Sequence, residues 1–482
     1  MKFRNVISYF ILVSISAIIW SCQNKQHNKQ DLANVTATQQ VQPNVIVILV
    51  DDAGYVDFGF MGSQDLETPH IDNLASQGII FTDAHVTATV CAPSRAGLLT
   101  GKYQQRFGFE ANGTGYGNSG DIGLADDVVT LAEELKKQEY KTIALGKWHL
   151  GGTESDHPNN RGFDEFYGFL AGGRSYFPMK NPSEEHMLQQ NGKRIHFEGY
   201  LTDILGNRSV EFVEENKDRP FFMYLAYNAV HTPMEAKEDD LKKFENHPRK
   251  TLAAMTWSLD ENIGKLQNKL AELNILDNTL IFFLSDNGGA HNNDSQNGPL
   301  KGWKGNKFEG GHRVPFVISW PDKIKDLKTF NGLTSSLDIF STAISAAGIN
   351  EEENRNLDGV NLLPFLTGEK SGDPHQELYW RKLEESAVRI GDFKLIHLEN
   401  FGFTMYNLSN DLGETIDLSS KDTINFNKLK NGLLKWESKL MDPLWVEEKP
   451  WMDVTYHIHK RLMENHAALF KCPSDKKQVI IQ

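Results

Sequence analysis

Five short polar segments, joined by Lys304, combine residue types able to bind a hard cation, present a nucleophile and gather positive charge. Asp51-Asp52 follows the apolar run Asn44–Val50, and Asp286-Asn287 follows a second run, Thr279–Leu284. Together these pairs offer the oxygen donors that Ca²⁺ and Mg²⁺ prefer, with no thiolate among them. Cys91 opens the stretch Cys91-Ala92-Pro93-Ser94-Arg95-Ala96-Gly97-Leu98-Leu99-Thr100-Gly101. Pro93 favours a first helical turn, Leu98 and Leu99 give the helix an apolar side, and Gly101 suits its stop. Cys91 is therefore expected just ahead of a helix N-terminus, where unpaired N–H groups attract negative charge. Arg95 lies one turn in, with a permanently charged fork for the same place. Lys147 and His149 follow a third run, Lys141–Leu145, and His231 follows a fourth, Pro220–Tyr227. Lys304 stands five residues before Glu309-Gly310-Gly311.

The elements that must position these groups are legible as runs. Asn44–Val50 is continuous and β-branched, as expected of a strand buried on both faces of a parallel sheet. Sites in such sheets form beyond the carboxyl ends of strands, where these polar residues fall. Helices are expected from Thr68-Pro69 to about Gln77, over Asp127–Gln138, Thr202–Asn216, Leu252–Leu273 and Ser335–Ala347, with a fifth strand at Phe316–Trp320. This alternation over about 300 residues places helices on both faces of one large sheet. A composition shift between Gly368 and Pro374 separates an expected catalytic domain, 43–370, from a C-terminal subdomain and tail, 371–482. In the latter, Glu377–Trp380, Ser386–Ile390, Phe393–Leu398 and Phe403–Leu408 read as a small antiparallel sheet, and Ile424–Leu440 as a helix packed on it. From Asp442 onward the chain is rich in Trp, His and Lys, suiting either a loop reaching the cleft or a C-terminal wrap.

The 482 residues carry a formal charge of −14, which argues against nucleic acid as a partner. An anionic substrate would need cations concentrated locally. Lys2 and Arg4 precede an apolar run from Val6 to Trp20, an export signal. Ile19-Trp20-Ser21-Cys22 resembles a bacterial lipoprotein cleavage box. The expectation is a lipoprotein-type signal over 1–22, a polar tether over 23–42, and location in the periplasm or at the outer membrane of a Gram-negative bacterium, with membrane attachment through a lipidated Cys22. Cys22, Cys91 and Cys472 are too few for a disulfide framework.

The Cys91-x-Pro93-Ser94-Arg95 segment and the Leu-Leu-Thr-Gly that follows resemble the formylglycine-dependent (type I) sulfatases, in particular their bacterial polysaccharide and arylsulfatase-like branch. The segments Gly146–Gly151 and Arg161–Gly168, and Lys304 ahead of Glu-Gly-Gly, resemble the same family. The resemblance implies an alkaline-phosphatase-like α/β fold: a large mixed sheet flanked by helices, with a smaller C-terminal antiparallel subdomain. It implies that a maturation enzyme oxidises Cys91 to formylglycine (3-oxoalanine), whose hydrated form is the nucleophile. It further implies a metal held by Asp51, Asp52, Asp286, Asn287 and residue 91, for which the oxygen donors favour Ca²⁺ over Mg²⁺. Arg95, Lys147 and Lys304 would stabilise charge on the sulfate. His231, with Lys304, would protonate the leaving alcohol, and His149 would take a proton from the second hydroxyl. Arg174, His291 and His312 are expected to contact substrate. The implied activity is hydrolysis of a sulfate ester, with a sulfated polysaccharide or its oligosaccharides as substrate. The alternatives are a phosphodiester or phosphonate hydrolase and a catalytically dead, glycan-binding surface lipoprotein.

Overall fold

A computed structural model describes residues 42–113, 122–325, 327–350, 356–447 and 449–465. The expected signal, the tether up to residue 41, Cys22 and Cys472 lie outside them. At the centre is the Asn44–Val50 strand, paired in parallel with Phe221–Ala226 on one side and Thr279–Ser285 on the other. Lys141–Lys147 runs parallel beyond Phe221–Ala226, followed by Glu165–Phe169. The short strands Gln189–Gln190 and Lys193–Arg194 complete that edge. On the other side Phe316–Ser319 runs antiparallel to Thr279–Ser285, and Ile79–Phe81 and Thr329–Phe330 close a ten-stranded sheet.

Strand geometry explains why the central runs are continuously apolar. Val45, Val47 and Leu49 face one core, packed with Ala92, Leu98 and Leu99 and with residues of the Leu131–Lys136 and Asp338–Ala346 helices. Ile46, Ile48 and Val50 face a second core, built with the helices Pro69–Ser76, Leu201–Asn216 and Lys250–Glu272. Alternate side chains enter opposite layers, and both layers are dry. The register aligns Val50 with Ser285 and Leu49 with Ala226, while Gly146 also pairs with Ala226. Four parallel strands therefore end side by side, and the polar segments leave from one edge.

Glu377–Lys382, Glu385–Ile390, Phe393–Leu398 and Gly402–Asn407 form a four-stranded antiparallel sheet in chain order. Leu429 and Leu433 of the Thr423–Glu437 helix pack on one of its faces with Val388, Leu395 and Met405. Its other face, with Trp380, Ile396 and Tyr406, packs on Trp303 and Phe308 and on Ile458 and Leu462 of a terminal helix, Lys449–Asn465. This shared packing joins the expected catalytic domain, 43–370, to the expected C-terminal subdomain. From Pro43 onward the chain forms one compact unit, because the second sheet shares a core with the loop that carries Lys304. Among the described residues no helix is long and apolar enough to cross a membrane.

The 91–101 segment corrects one expectation. Cys91 is the first residue of the helix Cys91–Thr100 rather than the residue ahead of it, and extended Val90 occupies the cap. The Asn112 side chain takes up the Ala92 N–H at 3.0 Å. All ten helix residues are buried, so the helix is not an amphipathic surface element. Gly101 does close it, at φ 64°, where a side chain would be strained.

Candidate active site

Asp51 and Asp52 sit at the turn where the central strand ends, both fully buried. The Lys147 ammonium donates to Asp51 Oδ2 at 2.7 Å, and the Cys91 thiol lies 3.5 Å from Oδ1 of the same carboxylate. Lys304 Nζ is 2.7 Å from Asp52 Oδ1 and 3.1 Å from Cys91 Sγ. Asn287 Nδ2 donates to Asp52 Oδ1 at 2.8 Å, while its Oδ1 is buried with no hydrogen bond. Arg95 grips Asp286 Oδ2 through Nε at 2.9 Å and Nη2 at 2.7 Å, and donates from Nη1 to the Lys147 carbonyl. Residues up to 252 positions apart in the chain thus share one buried cluster.

This geometry divides the expected residues into two sets. Asp52, Cys91, His149, His231, His291 and Lys304 line a cavity of ≈ 430 Å³. Behind them, and not lining the cavity, Arg95 pairs with Asp286 and Lys147 with Asp51, and so they hold the acids in place. Two residues expected to meet substrate do not line the cavity. Arg174 is buried with its guanidinium 5.4 Å from the Phe197 ring, donating from Nε to the Ser175 carbonyl. His312 is fully buried and stacked 4.0 Å from Trp380, and its ring meets His85 and Lys394 at 3.0 Å each. It belongs to a polar core around Glu309, whose carboxylate pairs with Lys394 at 2.9 Å between the two sheets. Sequence reasoning missed Asn112, Lys382, Glu447 and Trp451 on the cavity wall. A signal was available for Trp451 alone, an aromatic in a tail that otherwise had no assignment.

Burial dominates the electrostatics. It pushes the Cys91 thiol up to about 12 against the pull of Lys147 and Lys304, so an unmodified thiol here is not ionised near neutrality. Burial also lowers His149 far below the usual imidazole value, assisted by Lys147, Arg95 and Lys304, leaving a neutral ring able to accept a proton. His231 falls to about 3, because burial and Lys304 outweigh the opposing pull of Asp52. The His231 Nδ1 lies 2.5 Å from the Thr232 carbonyl and must donate to it, which leaves Nε2, 3.6 Å from Asp52, as the working nitrogen. Burial and the nearby Asp51 carboxylate raise Asp286 despite Arg95. Crowded carboxylates, together with a buried carbonyl oxygen left without a donor at Asn287, fit a hard cation. Among the described residues Asp51, Asp52, Cys91 and His231 bring donor atoms within 4.8 Å of one another, and Asp51, Asp52, residue 91, Asp286 and Asn287 are the residues that would hold the cation.

Comparison with known proteins agrees with this arrangement. A family model described as Sulfatase matches residues 43–349, and one described as N-sulphoglucosamine sulphohydrolase, C-terminal, matches 302–439. The chain belongs to the sulfatase family. It is thus a sulfuric ester hydrolase by family, with the large mixed sheet and separate small antiparallel sheet of the alkaline-phosphatase-like sulfatase fold. Human N-acetylgalactosamine-6-sulfatase is 32% identical over 375 residues, covering 73% of this chain and 71% of the relative. A sulfatase of Escherichia coli strain K12, YdeN, is 31% identical over 395 residues, covering 70% of this chain and 68% of that one. Among solved structures, Ps i-CgsB in complex with k-i-k-neocarrahexaose is similar with a TM-score of 0.80 and 38% identity, over 88% of this chain and 99% of that chain. The phosphonate monoester hydrolase of Agrobacterium radiobacter, at 19% identity and a TM-score of 0.63, shares the fold.

Within this sulfatase, Gly172 is where the wall leaves room for His149. A Cβ there would lie 2.5 Å from His149 Nε2. Gly172→Ala is expected to displace the imidazole and lower kcat/KM by about 10²-fold. Steady-state kinetics beside an unchanged thermal unfolding midpoint would show that the fold is kept.

Proposed function

We propose that this sulfatase hydrolyses sulfate esters on a sulfated polysaccharide or its oligosaccharides, through a nucleophile made from Cys91. The observation that carries the reading is the placement of Sγ on the cavity wall, 3.1 Å from Lys304 and 3.5 Å from Asp51. A side chain there is reached by substrate on one face and held by charged groups on the other. When converted to formylglycine and hydrated, residue 91 would supply one hydroxyl as the oxygen nucleophile and a second hydroxyl whose deprotonation breaks the first carbon–oxygen bond, expels the sulfate and restores the aldehyde. A Ca²⁺ ion held by Asp51, Asp52, Asp286 and Asn287 would neutralise charge on the sulfate oxygens. Lys304, held charged by Asp52 against the effect of burial, stabilises negative charge beside residue 91. Lys304, kept protonated beside Asp52, is the group with a proton to give to the leaving oxygen. Neutral His231, whose ring proton is held on Nδ1 by the Thr232 carbonyl, accepts a hydrogen bond through Nε2 and would serve as the acid once protonated there. Neutral His149 accepts the proton that frees the sulfate. Arg95 and Lys147 fix the acids.

A carbohydrate substrate is supported by the relatives: the similar Ps i-CgsB binds a neocarrahexaose, and several curated relatives are N-acetylgalactosamine-6-sulfatases. Residues 1–22 support export to the periplasm or the outer membrane, with lipid on Cys22. The test is sulfate release from defined carrageenan, ulvan and glycosaminoglycan oligosaccharides, run beside an aryl phosphate and a phosphonate ester. The expected result is turnover of one sulfated class and at least about 10²-fold lower kcat/KM on the phosphorus esters. Preference for phosphorus, or no turnover with formylglycine present at residue 91, would overturn it.

A further inference from the structure

The Lys449–Asn465 helix lies beyond the residues matched by either family model, which end at 349 and 439. It nevertheless forms part of the catalytic cavity, since Trp451, Val454, Thr455 and Ile458 line the same space as Cys91, His231 and Lys304. The helix is anchored rather than loosely laid on. Ile458 and Leu462 are buried against the small sheet, and His459 Nδ1 meets Glu385 at 2.9 Å. Just before the helix, Glu447 pairs with Lys382 at 2.8 Å, both nearly buried and both on the cavity wall.

Trp451 does not share in this anchoring. It is 55% exposed, and among the described residues it has no hydrogen-bond, ring or cation partner. What sets this indole apart from an ordinary exposed apolar residue is its place on the wall of the catalytic cavity, where a flat apolar face is open to a ligand. Its neighbourhood has the same character: Met441, Leu444, Val446, Met452 and Tyr456 are also exposed apolar side chains of the 441–456 stretch. Inside the cavity, by contrast, the groups at Lys304, Asp52 and the histidines are charged or polar. A ligand that fits both ends carries an anion at one end and, beside it, a body with apolar C–H faces and hydroxyl edges. A sulfated sugar has both. The rigid indole supplies a flat face with few rotamers to freeze, and the Lys382–Glu447 pair and Thr455 offer hydrogen bonds at its margin.

We propose that Trp451 is the specificity-determining platform of this enzyme, stacking on the sugar ring that carries the sulfate or on its neighbour, with the terminal helix as the wall that sets it. The inference rests on the carbohydrate reading above and assigns that reading a residue outside the catalytic cluster.

The experiment uses the matured full chain and a sulfated oligosaccharide that the wild-type enzyme turns over, comparing wild type, Trp451→Ala and Trp451→Phe. For Trp451→Ala, KM is expected to rise at least about tenfold with kcat within about twofold, the pattern of lost uniform binding. Trp451→Phe should recover most of the loss. Inorganic sulfate, used as a competitive inhibitor, should keep its Ki in all three proteins, because it needs only the anion end of the cavity. An unchanged KM in Trp451→Ala overturns the platform, and so does a parallel rise in KM and sulfate Ki, which would mean that the cavity had been disturbed as a whole. If the wild-type enzyme desulfates no carbohydrate at all, the carbohydrate reading falls and the platform falls with it. Turnover that is indifferent to Trp451 removes only the platform.

Discussion

Cys91→Ala is expected to lower kcat for sulfate-ester hydrolysis by about 10⁴-fold or more, and Cys91→Ser to lose as much. The expectation follows from position and chemistry together. Sγ stands against the cavity among the Lys304, Asp51 and Asp52 side chains, so residue 91 is a nucleophilic side chain on the cavity wall with charged groups beside it. As a thiol it is a poor nucleophile, because burial keeps it protonated. As a serine it would form a sulfate ester with no second hydroxyl to expel the sulfate, and turnover would stall. The same logic makes wild-type protein expressed without a maturing enzyme inactive while it remains folded. Mass analysis of the peptide carrying residue 91, beside kinetics of the same preparation, ties the two together: activity should rise in proportion to the fraction of thiol converted to aldehyde. Full turnover by Cys91→Ala would end the proposed mechanism. The substitution should cost little stability, since the helix keeps its Asn112 bond and its buried leucines.

Much of this site was legible because its signals are local. A β-branched run that ends in adjacent acids, as at Asn44–Asp52, gives a strand and its carboxyl edge within nine residues. Lys141–Lys147 and Thr279–Ser285 declare themselves in the same way. Partner choice is where the sequence becomes silent. Arg95 has the right charge to meet a sulfate, but the carboxylate that captures it lies 191 positions away, so its positioning role appears only once the strands are paired. His312 is similar: beside Glu-Gly-Gly it looks available, and the sheet-to-sheet packing that buries it against Trp380 joins distant segments. The terminal helix shows a further limit. Its apolar residues divide between a buried pair, Ile458 and Leu462, and exposed Trp451 and Tyr456, and a moment along the sequence does not distinguish a face that meets a core from one that meets a ligand.

Removing divalent cations should produce the second large effect, a loss of about 10³-fold in kcat, equivalent to several kcal/mol at the barrier. Three carboxylates, Asp51, Asp52 and Asp286, are buried together, and the raised value at Asp286 records their mutual repulsion on top of burial. Arg95, Lys147 and Lys304 relieve part of it, yet among the described residues the buried Asn287 Oδ1 has no donor, which fits an oxygen that meets a cation. A bound ion that is absent from the unfolded chain also stabilises the fold by mass action, by about 2.7 kcal/mol at a hundredfold excess over Kd. Chelation followed by dialysis should therefore lower Tm along with activity. Ca²⁺ should restore both at lower concentration than Mg²⁺, because several carboxylate and amide oxygens supplied by the protein would suit the larger, less strictly octahedral ion. The Cys91→Ala protein separates binding from chemistry. It should show no turnover at any metal concentration, yet its Tm should still rise with Ca²⁺, whereas Asn287→Ala should weaken that rise. A chelated wild-type enzyme that kept full activity and an unaltered Tm would mean that the three acids serve only to hold Arg95, Lys147 and Lys304.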